Sequence, residues 1–164
     1  MKTFLVIIAI WFFAGCAEIA TPDKTARDTP ASLTYNAVLA EELGADDYGM
    51  RSYIMVILKT GPNDKTLTDE AERGKIFKGH FSNMRILAEN KKLVLAGPFG
   101  DPDGIRRGLY IFNVKTIEDA KALVMTDPAV AAGIFTAEFT PYYGSAALMQ
   151  VNDVHKTIAK NNPG

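Results

Sequence analysis

A chain of 164 residues with a net charge of −1 suits one domain with appendages, and the balanced charge provides no basic face of the kind nucleic-acid binding needs. Apolar residues make up 48% and charged residues 23%, enough of each for a packed core under a solvated surface, which excludes a wholly disordered polymer. Two histidines and one cysteine leave too few ligands for a structural zinc site and no partner for an intramolecular disulfide.

Residues 1–16 form a segment of their own. Met1-Lys2 supplies a positive start, and Phe4 to Phe13 is an uncharged apolar run. It is too short for a hydrocarbon core of about 30 Å, which takes roughly 20 helical residues. The pattern is that of a secretory signal. Phe13-Ala14-Gly15-Cys16 resembles the lipobox of bacterial lipoproteins, which implies lipidation of Cys16 and cleavage before it. Acyl chains contribute about 0.8 kcal/mol per buried CH₂, so two or more anchor a protein stably. The expectation is an exported protein held in the cell envelope by this lipid. Ala17 follows the cysteine in place of the aspartate associated with inner-membrane retention, which favours the outer membrane with the domain facing the periplasm.

Residues 17–50 read as a Thr/Pro/Asp/Ala-rich tether with a short helix from Leu33 to Leu43, closed by Gly44. A β-α-β-β-α-β series follows over residues 51–143. Tyr53 to Lys59 is a strand by its β-branched and apolar content, stopped at Gly61-Pro62. Thr68 to Asn90 is a long helix whose Ile76, Phe77, His80, Met84, Leu87 and Ala88 recur at three- and four-residue spacing. Leu93 to Pro98 is a strand, Phe99 to Arg106 a turn region, and Gly108 to Val114 a third strand. Ile117 to Met125 is a helix with Thr116 as its cap, and Asp127-Pro128 opens one more turn over Ala129 to Ala132. Ile134 to Tyr142 is the last strand, placed at a sheet edge by Pro141. Residues 144–164 form a C-terminal extension with a weakly amphipathic helix.

Two helices on one face of a four-stranded antiparallel sheet make an α+β, ferredoxin-like βαββαβ subunit. Both alternating sets of Tyr53 to Leu58 are apolar, as are both sets around Tyr110, whereas a sheet with one wet face alternates apolar with polar. A second copy of the same sheet is the economical cover for the face the helices leave bare, giving a homodimer. The N- or C-terminal appendage is the other possible cover.

The segment from Tyr53 to about Tyr143 resembles the YCII-related (YciI-like) family. The residues that carry the likeness are Lys78-Gly79-His80-Phe81, Leu95-Ala96-Gly97-Pro98-Phe99, and Thr126-Asp127-Pro128-Ala129-Val130-Ala131-Ala132-Gly133. The resemblance implies a dimeric α/β barrel and an enzyme without cofactor, built on a His-Asp pair that matches His80 and Asp127. Relatives in this family and its wider superfamily act on chlorinated lactones and muconolactones, so it implies a small organic acid or lactone-like substrate. Charged residues around Lys65 to Arg73 depart from the shorter members of the family.

Each candidate also has a plain structural role. His80 lies on an apolar helix face between Ile76 and Met84, and Asp127 before Pro128 is a good helix cap, a duty that competes for its lone pairs. Imidazole is nonetheless the side chain suited to moving protons near neutral pH, and a carboxylate beside it fixes its tautomer. Gly97, Pro98 and Phe99 are candidate pocket borders, and Arg106, with Arg107, a candidate clamp for a substrate carboxylate. His155 has no partner in view. A non-catalytic small-molecule-binding or accessory module of the envelope is the alternative to an enzyme.

Overall fold

The computed structural model describes residues 34–161, so the signal segment, the lipobox Cys16 and most of the expected tether lie outside the described residues. From Asn36 onward the chain runs α1 (Ala37–Leu43), β1 (Met50–Thr60), α2 (Glu70–Glu89), β2 (Leu93–Pro98), β3 (Arg106–Phe112), α3 (Ile117–Val124), α4 (Pro128–Ala131) and β4 (Phe135–Ser145). A 3-10 turn, Ala146–Gln150, and α5 (Val151–Ile158) complete it. No helix among the described residues is long and apolar enough to cross a membrane.

The four strands form one antiparallel sheet in the order β2-β3-β1-β4, the ferredoxin-like arrangement. β4 is an edge strand, which is where Pro141 is tolerated. Ile54, Val56 and Leu58 of β1 pack with Tyr110 and Phe112 of β3 under Leu87, Ala120 and Val124 of the helices. Burial of each large aliphatic or aromatic side chain in this layer stabilises the fold by about 1.5–3 kcal/mol. Local signals agree with the packing. Asp69 caps α2 by accepting from the Glu72 amide at 2.8 Å, with Glu70 and Glu72 favouring the helix dipole. Thr116 caps α3 in the same way, through the Asp119 amide at 3.0 Å.

The opposite face of the sheet has a smaller core of Tyr53, Val94 and Ile111. Leu148 and Met149 from the C-terminal extension pack against it, so the appendage covers part of the face for which a second copy was the expected cover. Asn152 of α5 fastens that extension to the outer strand by donating to the Leu93 carbonyl at 2.8 Å. Met55, Ile57, Leu95 and Leu109 remain half-buried on this face.

Two irregularities prepare the site. Between Leu58 and Lys59 the β1–β3 register shifts: Leu58 stands opposite Gly108 and Lys59 opposite Arg106. Arg107 is the extra residue, and a bulge of this kind re-aims a side chain. The loop after β1 is also pinned to the α4–β4 junction. Gly61 donates to the Ile134 carbonyl at 2.7 Å, and Asn63 to the Gly133 carbonyl at 3.0 Å. A Cβ on Gly61 would lie 2.2 Å from that Gly133 oxygen, so only glycine allows the approach.

Candidate functional site

Asp127 ends the loop between α3 and α4, and its side chain has no exposed surface left. A buried carboxylate requires donors, and this one receives three. One oxygen, Oδ1, accepts from the Ala129 amide at 2.9 Å and so caps α4; Pro128 at the first helical position has no amide to satisfy. The other, Oδ2, lies 2.8 Å from Nδ1 of His80 and 3.1 Å from the Tyr110 hydroxyl, which donates to it. Capping and pairing with histidine are therefore shared between two oxygens, and neither duty displaces the other.

His80 projects from the sheet-facing side of α2 and is 7% exposed. Aromatic rings surround it. Phe77, Phe81 and Phe135 meet it edge-on at centroid distances of 6.0, 5.3 and 5.5 Å, and Tyr110 lies more nearly parallel at 6.4 Å. With the Asp127 carboxylate as the acceptor, a neutral imidazole places its hydrogen on Nδ1 and its lone pair on Nε2. Nε2 makes no hydrogen bond among the described residues, and it is not a sealed atom. A histidine ring with one nitrogen tied to a buried carboxylate and the other unclaimed can accept a proton and hand it back.

Tyr110 was hidden in the sequence among the apolar residues of β3. Burial, then the negative charge of Asp127 and the bond to it, push its hydroxyl well above the usual tyrosine range, so it remains a donor. A raised folded-state value means the associated stability is complete below about pH 10, the unfolded value, and is lost as pH rises beyond it. Tyr110→Phe is expected to cost about 1 kcal/mol at neutral pH and to flatten the loss of stability above pH 10, both read from urea unfolding across pH.

Helix packing decides how closely Asp127 reaches His80. A Cβ at Gly79 would lie 2.9 Å from Cγ of Pro128, so α2 and α4 touch through a residue without a side chain. Gly79→Ala gains about 1 kcal/mol of helix propensity but drives a methyl into a rigid ring, typically costing 1–3 kcal/mol. The expected result is a net loss of about 1 kcal/mol in urea unfolding, with a changed His80 imidazole signal in NMR as the 2.8 Å bond to Asp127 opens.

The other sequence candidates sit elsewhere. Gly97 and Pro98 are paired in the sheet with Leu109 and Gly108, and Phe99 is partly exposed beneath the Arg106 guanidinium. Arg106 is held by Asp101 at 3.2 Å and borders a cleft of about 370 Å³ with Ile57, Lys59 and Glu138. That cleft contains neither His80 nor Asp127. His155 lines a separate groove between α2 and α5. It is Arg107 that approaches the histidine, with its guanidinium 5.3 Å from the Phe135 ring centroid. Among the described residues no group of three or more His, Cys, Asp or Glu side chains is gathered as a metal site would require.

The model of the YCII-related domain matches residues 53–139, more than half of the chain and within the expected domain of residues 51–143. The chain belongs to the YCII-related family. It is also 29% identical over 84 residues to an uncharacterized protein, YjpA, of Bacillus subtilis (strain 168), covering 51% of this chain and 85% of that protein. Among solved structures it matches a 5-chloro-2-hydroxyhydroquinone dehydrochlorinase from Burkholderia phenoliruptrix, in complex with 2,5-dihydroxybenzoquinone, at 16% identity. That match covers 55% of this chain and 90% of the other, with a TM-score of 0.39. The fold of this YCII-related domain rests on its strand order and the family match.

Proposed function

We propose that this YCII-related domain is a small acid–base enzyme working without a cofactor on a small organic acid or lactone-like molecule. His80 is its general acid and base, and Asp127 is the residue that orients it. The observation that supports the reading is the buried 2.8 Å contact between Nδ1 and Oδ2, with Nε2 left unpaired. In the reaction Nε2 takes a proton from a substrate carbon or from water, and the resulting imidazolium keeps its Nδ1–H on Asp127. The same proton then returns to a leaving group or to a different carbon, which suits elimination, isomerisation or hydrolysis. Tyr110 holds the carboxylate on the side away from its cap.

The test is a turnover screen of small lactones and unsaturated organic acids with the full chain. Conversion of any of these compounds that is lost in His80→Gln supports the proposal. Saturable binding of the same compounds without conversion would instead make the domain a non-catalytic ligand-binding module.

Two further parts of the reading concern the setting. The half-buried Met55, Ile57, Leu95 and Leu109 suit a face-to-face homodimer, to be checked by sedimentation. The lipobox-like Phe13-Ala14-Gly15-Cys16 supports lipid anchoring in the envelope, with the outer membrane favoured. Labelled palmitate is expected to enter the wild-type protein in a lipoprotein-processing bacterium and to be lost entirely in Cys16→Ser. Equal labelling would remove the anchor.

A further inference from the structure

One carboxylate near the histidine serves two arginines. Asp64 accepts from Nη2 of Arg73 on Oδ1 at 2.9 Å and from Nη1 of Arg107 on Oδ2 at 3.2 Å. Its carboxyl is held below the usual aspartate range, first by the bond to Arg73, so the three groups leave one positive charge uncompensated. The arginines are not equivalent. Arg73 is committed to the loop, since its Nη1 also donates to the Asp64 and Leu67 carbonyls at 2.8 and 3.0 Å. Arg107 uses only Nη1, for Asp64 and for the Thr60 hydroxyl at 3.5 Å. Its Nε and Nη2 make no hydrogen bond among the described residues, and its side chain is 32% exposed. Those two nitrogens form the planar fork that meets a carboxylate in two parallel bonds.

The position of this fork relates it to the histidine. Arg107 lies over Phe135 and Arg73 over Phe77, at 5.3 and 5.7 Å from the ring centroids, and both rings touch His80. The histidine and each arginine thus have a phenyl ring as a common neighbour. The bulge at Arg107 and the pinning of the 61–64 loop are what bring the arginines there.

We propose that the Nε–Nη2 edge of Arg107 is an anion subsite that takes the carboxylate of a small acid, whose apolar body lies on the Phe77–Phe135 side toward His80. This deepens the acid–base reading by assigning the substrate's anchor, and it rests on that reading for the proton transfer after binding. Binding itself does not depend on catalysis. Asp64 holds the guanidinium in place through Nη1 alone, which leaves the Nε–Nη2 edge open for the ligand.

The probe is sodium benzoate, with benzamide as its uncharged counterpart, titrated into the full chain. The readouts are the Nε–H signal of Arg107 and the ring signals of His80 in nitrogen-15 NMR. Benzoate is expected to move both sets of signals, and benzamide neither. Arg107→Gln is expected to weaken benzoate binding by at least about tenfold, the scale of a charge-assisted bidentate contact. Arg107→Lys retains the charge and loses the fork, so it is expected to weaken binding comparably even if the glutamine variant does not fold. Asp64→Asn keeps an oxygen for Nη1 but removes the negative charge beside the subsite, and is expected to tighten benzoate binding. Equal benzoate affinity in wild type and Arg107→Lys, or no response up to the solubility limit of the salt, overturns the subsite. His80→Gln is expected to bind benzoate as the wild type does. Should that variant also lose no turnover, the acid–base reading fails while the subsite stands.

Discussion

His80→Gln is expected to lower kcat/KM by about 10²- to 10⁴-fold, the range that a positioned general acid–base group supplies. The loss should fall on kcat, because in the proposed reaction the imidazole acts on a proton in transit and contributes little to holding the substrate at rest. Glutamine has no titrating group, so the limb of the pH profile that belongs to the histidine should vanish. Its amide can still donate to Oδ2 of Asp127, and so the buried carboxylate keeps three donors. What is lost is ring packing against Phe77, Phe81 and Phe135, so stability should fall by about 1–2 kcal/mol and leave the protein folded. Steady-state kinetics with unfolding curves on the same sample separate the two effects. Turnover equal to wild type in a folded His80→Gln would end the case for a catalytic histidine.

Much of the frame was legible because each element carries its own local signal. β2 runs from Leu93 to Pro98 as its composition and flanking turn imply, and α3 begins at Ile117 after the Thr116 cap. Strand ends were less legible: β1 begins at Met50 and β4 runs on to Ser145, past Pro141. Those ends are set by pairing, Met50 with Ser145, and pairing partners are not local information. The second face of the sheet was legible as apolar, but alternation cannot say which chain covers it. Leu148 and Met149 reach it only because Ala146 bonds back to the Gly49 carbonyl at 2.9 Å and turns the extension under the sheet.

The site divides along the same line. His80 and Asp127 stood out through motif and residue type, since a histidine on an apolar face and an Asp-Pro cap are visible in one dimension. Tyr110 did not, because alternation marks it only as inward-facing. Its hydroxyl acquires meaning when β3 passes beneath both α2 and the α3–α4 loop. Arg106 and Arg107 are neighbours in an arginine pair, and sequence has no means of ranking them. A single extra residue in β3 decides it, aiming Arg107 at Asp64 and Phe135 while Arg106 folds onto Asp101 and Phe99. Bulges come from the register between strands, which no residue of β3 announces by itself.

Asp127 is the position where the fold and the proposed chemistry depend on the same atoms, and two substitutions there are expected to part them. Asp127→Ala removes the acceptor of the Ala129 amide, the Tyr110 hydroxyl and His80 Nδ1 at once, in a place without exposed surface. A lost cap costs about 0.5–2 kcal/mol and each stranded buried donor about 1–3 kcal/mol, less whatever the donors recover by shifting. A net loss of about 3–5 kcal/mol is expected, a large share of the 5–15 kcal/mol that holds a typical domain folded. Asp127→Asn is expected to behave differently. Its oxygen can keep the cap on Ala129 while its amide faces His80, which leaves Tyr110 short of an acceptor and costs about 1–2 kcal/mol. An amide donating to Nδ1 forces the imidazole hydrogen onto Nε2, the nitrogen that accepts the proton in the proposed reaction. The protein should then be folded, with its histidine in the wrong tautomer and kcat lowered by about 10³- to 10⁴-fold. Nitrogen-15 shifts of the ring report the tautomer directly, alongside urea unfolding and kinetics. An Asp127→Asn protein that keeps both the Nδ1–H tautomer and its rate would show that the carboxylate serves the helix alone.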